Sequence, residues 1–277
     1  MPHMSFEEHD IPPVLLGFDT ETTGLDVFKD RIVQAALVGQ DRSGREVFRE
    51  EWLINPGILI PREATKIHGI TSDRAMEDGQ DPAEAIEQIT GLLEKALRAG
   101  CALVIQNAPY DLALLDAEAQ RHSVVPLAER RPVAPVLDPV MLAKVAKVEG
   151  RHSLAALSAR FGVTNPRAHT AYADAVTTLA VLRKLMMIDV LDEEPAVLHV
   201  MQEDEARRRA ESWQEELRVS DPCARVAPGW PLSAGRTRIG CECRDCGRPL
   251  TDSDLTQPCG ECLERFAGAV QAVRRGA

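Results

Sequence analysis

The chain has 277 residues, 44% of them hydrophobic and 27% charged, which suits a soluble globular protein with room for one large domain and an appendage. No apolar run is long enough to cross a membrane, and the polar, acidic start "MPHMSFEEHDIPP" lacks the features of a signal peptide, so a cytoplasmic location with reduced thiols is expected. The net charge of −11 argues against tight non-specific binding of nucleic acid by electrostatics alone, although residues 189–222 hold 11 of the 43 acids against 4 of the 32 bases.

In chain order, "VLLGFDTETTGL" reads as a buried strand that ends in a threonine-glycine turn. Alternation puts Asp19 and Glu21 on one face and Thr20 on the other. Two carboxylates so close on an apolar strand repel each other and resist desolvation. A cation between them would make sense of the pair. "RIVQAALVGQ" and "REVFREEWLINP" read as two further strands joined through "DRSG".

"DPAEAIEQITGLLEKALRAG" predicts a helix with a capping box of Asp81 and Glu84, Pro82 at its first position and Gly100 past its end. Then come a buried strand in "CALVIQNA", a helix opening at Pro109, a short strand in "VAPVLDP" and helical "VMLAKVAK". "SLAALSARFGV" predicts a helix capped by Ser153, and "AYADAVTTLAVLRKLMM" another. Three early strands followed by alternating strands and helices indicate an α/β domain with a mixed sheet.

Residues 192–218 change character. Glu203, Asp204 and Glu205 precede Arg207, Arg208 and Arg209 by four positions, which predicts a solvated, charged helix. A Pro- and Gly-rich linker follows. "CRDCGRPLTDSDLTQPCGEC" then places Cys243, Cys246, Cys259 and Cys262 in two C-x2-C knuckles, a spacing that can hold one structural Zn²⁺. Cys241 is an alternative ligand in the first pair, Cys101 reads as a small buried hydrophobe, and Cys223 lies in the linker. The expected organisation is a domain over 13–188, a connecting helix over 189–222, a linker over 223–240 and a zinc module over 241–277.

Asp111 falls in the first turn of the helix after "VIQNAPYD", where the helix N-terminus favours a carboxylate. Asp174 lies early in its own helix, with His169 five residues before it. Four acids and an imidazole thus sit near element ends, where an open sheet tends to build its site.

In order and spacing, "FDTETTGL", "NAPYDLALL" and "HTAYADA" resemble the three motifs of the DEDD 3′→5′ exonucleases, in the histidine branch typified by DNA polymerase III epsilon (DnaQ-like). "ATKIHGIT" and "LDPVMLAK" are similar to that family's intervening segments, and the resemblance spans roughly 13–186. Tyr110 stands where Phe is usual, and His169 occupies the position that marks the histidine branch.

The resemblance implies a ribonuclease H-like mixed sheet flanked by helices, and a two-metal hydrolysis using Mg²⁺ or Mn²⁺. It implies that Asp19, Glu21, Asp111 and Asp174 hold the metals, with Asp19 bridging both. His169 would be the general base, while the backbone after Glu21, around Thr22 and Thr23, and the side chain of Leu25 would grip the 3′ terminus. The expected substrate is a single-stranded or frayed nucleic-acid 3′ end, DNA preferred, released as nucleoside 5′-monophosphates, with a polymerase or other protein as a further partner and no membrane. An exoribonuclease would share all five residues, differing in whether the site admits a ribose 2′-hydroxyl. An inactive nuclease fold serving a zinc-anchored assembly is a third reading, opposed by the presence of all five residues.

Overall fold

In the computed structural model, which describes residues 14–219, 226 and 229–232, the chain begins with an antiparallel meander. Its strands are β1 (Leu15–Thr22), β2 (Ile32–Gln40) and β3 (Glu46–Leu53). Every residue of β2 except Gln34 is buried, the signature of a strand covered on both faces. The β1–β2 register shifts between Glu21 and Thr22, an irregularity that re-aims side chains where the strand leaves the sheet.

Three helices follow: α1 (Arg62–His68), α2 (Ser72–Asp78) and α3 (Pro82–Arg98). The third starts as its sequence predicts. Asp81 accepts hydrogen bonds from the Ala83 and Glu84 N–H groups, and Ile86, Ile89 and Leu93 are fully buried. β4 (Ala102–Val104) then runs parallel to β1, and α4 (Ala108–Arg121) and α5 (Leu127–Arg130) lead to β5 (Val136–Leu137), parallel to β4. The sheet order is β3-β2-β1-β4-β5, so β1 joins the antiparallel half to the parallel half.

α6 (Pro139–Val145) and α7 (Leu154–Phe161) precede α8 (Ala171–Leu185), which lies against β1 and β2. Gly17 allows that approach. A Cβ there would stand 2.9 Å from the Leu179 side chain and 3.1 Å from the Ala175 carbonyl. Leu15, Val38, Val104, Leu179, Leu182 and Leu185 form the core of this face.

α9 (Pro195–Leu217) is the charged helix of the sequence. The described residues divide within it into two compact units, 14–205 with 229–232 and 206–219 with 226. In the first unit α9 is not uniformly solvated, since Leu198, His199 and Gln202 are buried. In the second, Ala210 is buried and the Gln214 side chain accepts a hydrogen bond from the Val226 N–H (3.1 Å). The four proposed zinc ligands, with Cys223 and Cys241, lie outside the described residues.

Candidate active site

The site forms where β1 leaves the sheet. Asp19 and Glu21 face the first turn of α8, which carries Asp174, while Asp111 comes from the first turn of α4 beside β4. Thr20, on the opposite face of β1, donates a 2.6 Å hydrogen bond to Asp111 Oδ1. One strand therefore supplies two acids directly and positions a third.

The carboxylates act on one another. Burial first, then Asp111, Asp174 and Glu21, raise Asp19 well above the ordinary carboxylate range. Glu21, 9% exposed, is pushed up to about 7 by burial and then by Asp174 and Asp111. Asp111, 5% exposed, also reaches about 7; burial raises it against the opposing hydrogen bond from Thr20. Buried acids that repel each other and retain protons near neutrality form a donor set fitted to a hard divalent cation, which would neutralise them.

His169 is exposed, with a left-handed backbone (φ 67°), just before the α8 N-cap Thr170. Its N–H donates to Asp174 Oδ2 (3.1 Å), and the Asn165 amide donates to the other oxygen of the same carboxylate. Gln34 on β2 accepts from the Ala171 N–H (3.1 Å), tying the α8 start to the sheet. Ligand atoms of Glu21, His169 and Asp174 lie within 4.8 Å of one another, close enough to share an ion.

The turn after β1 is internally braced. Asp30 accepts from the Thr23 hydroxyl (2.8 Å) and the Asp26 N–H (2.8 Å), and Thr23 Oγ1 accepts from the Arg31 N–H (3.0 Å). Tyr110 donates to the Gly24 carbonyl (2.5 Å), and its hydroxyl lies 2.9 Å from that of Thr22. Gly24 has no room for a side chain, because a Cβ would meet the Asp30 carboxylate at 2.6–2.8 Å. The Thr22 and Thr23 hydroxyls thus shape the turn itself, and Leu25, 86% exposed, projects from it.

The structure brings the five predicted residues into one region and adds four that sequence reasoning missed. Thr20 and Asn165 are partners of site acids, and the Tyr110 hydroxyl braces the turn. Asp138, 1% exposed at the end of β5, accepts from the Asn107 and Ala108 N–H groups where α4 begins (3.0 and 3.2 Å). Thr20 was open to detection as the outward residue between two acids. Asp138 stood in the sequence only within the short strand segment "VAPVLDP" and the family-like "LDPVMLAK".

Residues 16–182 match the RNase_T exonuclease family. The chain is 39% identical over 177 residues to a DNA polymerase III subunit epsilon-like protein of Rhodobacter capsulatus, covering 61% of this chain and 23% of that protein. It is 34% identical over 162 residues to DNA polymerase III subunit epsilon of Treponema pallidum, covering 57% of this chain and 70% of that protein. Exonuclease I from Methylocaldum szegediense shares the fold, with a TM-score of 0.56 and 24% identity over 71% of this chain and 45% of its own.

Proposed function

We propose that this chain, which belongs to the RNase_T exonuclease family, is a metal-dependent 3′→5′ exonuclease that releases nucleoside 5′-monophosphates, preferentially from DNA. The observation that carries this reading is the convergence of Asp19, Glu21, Asp111 and Asp174 with His169 where β1 leaves the sheet. The preference for DNA, and a polymerase as a partner, rest on the likeness to polymerase III epsilon proteins.

Asp19, Glu21, Asp111 and Asp174 would hold the cations. Two bound Mg²⁺ or Mn²⁺ ions would activate a water and neutralise charge on the leaving oxygen. His169 would take the proton from that water, a task suited to an imidazole in an exposed position beside two of the acids. Leu25, on its braced turn, would press against the terminal base, and the backbone at Thr22 and Thr23 would hold the 3′-hydroxyl. For the four-cysteine tail we propose one structural Zn²⁺ bound by Cys243, Cys246, Cys259 and Cys262.

The test is digestion of matched 5′-labelled DNA and RNA oligonucleotides with Mg²⁺ or Mn²⁺. Stepwise shortening of DNA from the 3′ end, faster than of RNA and blocked by a 3′-phosphate, is the expected result. Shortening from the 5′ end, or no metal-dependent cleavage, overturns the reading, and faster digestion of RNA overturns the DNA preference. Metal analysis of the same protein should find one zinc per chain; four freely titratable thiols and no zinc would remove the tail site.

A further inference from the structure

Among the described residues β5 is the last strand of the sheet, and side chains of α9 bond to its outer edge. Gln202 donates from Nε2 to the Val136 carbonyl (3.0 Å) and accepts at Oε1 from the Asp138 N–H (2.8 Å). His199 Nδ1 accepts from the Val136 N–H (3.1 Å). The Trp230 ring lies 5.1 Å from that of His199, and its indole N–H reaches Asp138 Oδ2 (3.4 Å). Gln202 is fully buried, and His199 and Trp230 nearly so.

Gln202 and Trp230 reach Asp138 directly, and His199 reaches it only through Val136 and the Trp230 ring; the Asp138 carboxylate in turn does an unusual task for α4. The N-cap of α4, Asn107, has a left-handed backbone (φ 61°) and makes no side-chain capping bond. Asp138 accepts the Asn107 and Ala108 N–H groups in its place, and also caps α6 through Val140 (2.8 Å). Asp111 lies three residues beyond Ala108, in the same first turn. The direction of the Asp111 carboxylate therefore depends on a turn whose N–H groups are anchored outside its own helix.

We propose that His199, Gln202 and Trp230, all beyond the stretch matched to the exonuclease family, are positioning residues for Asp111 and act through Asp138. The inference rests on the reading of Asp111 as a metal-holding acid. It makes the segment after α8 part of the apparatus that sets metal affinity. Thr20 fixes one oxygen of Asp111 from β1, while Asp138 fixes the turn beneath it from β5.

The test compares Asp138→Asn, Gln202→Met and Trp230→Phe in the full chain with the parent protein. Direct Mn²⁺ titration by calorimetry is measured beside turnover of a DNA oligonucleotide across Mn²⁺ concentrations. Leu185→Val, at the other end of α8 from Asp174, serves as a control for lost stability alone. Asp138→Asn should weaken Mn²⁺ binding by about 10- to 100-fold, the usual reach of groups that orient metal ligands. Gln202→Met and Trp230→Phe should each weaken it by roughly 2- to 10-fold, the lower part of that scale and below. The Mn²⁺ concentration for half-maximal turnover should rise in step, whereas Leu185→Val should leave it unchanged.

Folded Gln202→Met and Trp230→Phe proteins with parental Mn²⁺ affinity and parental half-saturation overturn the positioning role, whatever happens to Asp138→Asn. The same holds if the three variants lose stability and active fraction while the Mn²⁺ dependence stays parental, because that is the behaviour of edge packing. A parent protein that neither binds Mn²⁺ nor digests DNA fails at the preceding reading instead.

Discussion

β1 and the segment before α8 both supply the site, by opposite means. β1 is paired with β4 over Leu15–Gly17 and with β2 along its whole length, so Asp19 and Glu21 stand on backbone laddered to Ala36 and Gln34 of β2. The segment around His169 is exposed and held by a few bonds, chiefly those from His169 and Asn165 to Asp174. Residues that must endure close like charges without moving sit on the rigid element. The group that would exchange a proton with water sits where water reaches it. The difference separates holding from transferring.

The largest test of that division is Asp19→Ala, which should bring hydrolysis to background while the metal-free protein stays folded. Removing one acid from a repelling group relieves strain on the rest, so unchanged or raised melting temperature should accompany the loss. Near-parental turnover in pure protein would sink the assignment of Asp19. His169→Ala should be less severe, lowering turnover by roughly 10²–10⁴-fold with Mn²⁺ affinity almost unchanged. Loss of Mn²⁺ binding in calorimetry would instead make His169 a ligand, consistent with its closeness to Glu21 and Asp174.

A pH titration of the metal-free protein sharpens the comparison, since the buried acids Glu21 on β1 and Asp111 on α4 should dominate it. Glu21 moves from 4.5 to about 7 and Asp111 from 3.8 to about 7, so the folded chain binds more protons than the unfolded chain across that window. Their contribution to stability is present below the unfolded values and is lost as pH rises through about 7. Melting temperature should fall by roughly 5 °C between pH 5 and pH 8 without metal, and Mn²⁺ at pH 8 should restore it. A flat or rising profile would show that Glu21 and Asp111 are not held above the ordinary carboxylate range. The smallest effect belongs to Thr20→Val. Losing the hydroxyl that steadies Asp111 should cost about 1 kcal/mol of folded stability and raise the Mn²⁺ requirement a few-fold. An unaltered Mn²⁺ requirement would make that bond incidental.

Much of this was legible in the sequence because its causes are local. The alternation of β1, the Asp81 cap of α3 and the Ser153 cap of α7 are each written within a few residues of where they act. The five candidate residues are picked out by residue type and order together with the resemblance of their three segments to the exonuclease motifs. The short helices α1 and α2, seven residues each, gave no periodic signal long enough to recognise. The charge pattern of α9 concealed its buried Leu198, His199 and Gln202, because polar residues can be buried when their bonds are satisfied. Thr20 with Asp111 and Asp138 with Asn107 join residues 91 and 31 positions apart, and nothing near either residue encodes its partner.

The position of β1 at the join of the sheet also sets an order of events during synthesis. The meander can close early, since β1 meets β2 and β2 meets β3 through local connections in the chain. Thr20 must wait for a residue 91 positions later before it meets Asp111, and Gln34 waits 137 positions for Ala171. Chains are made from the N-terminus and distant contacts form slowly. A ribosome-bound chain that has emerged only as far as β4 thus displays Asp19 and Glu21 without their partners. The candidate site is complete only once α8 has emerged with Asp174, well after the strand that carries its first two acids.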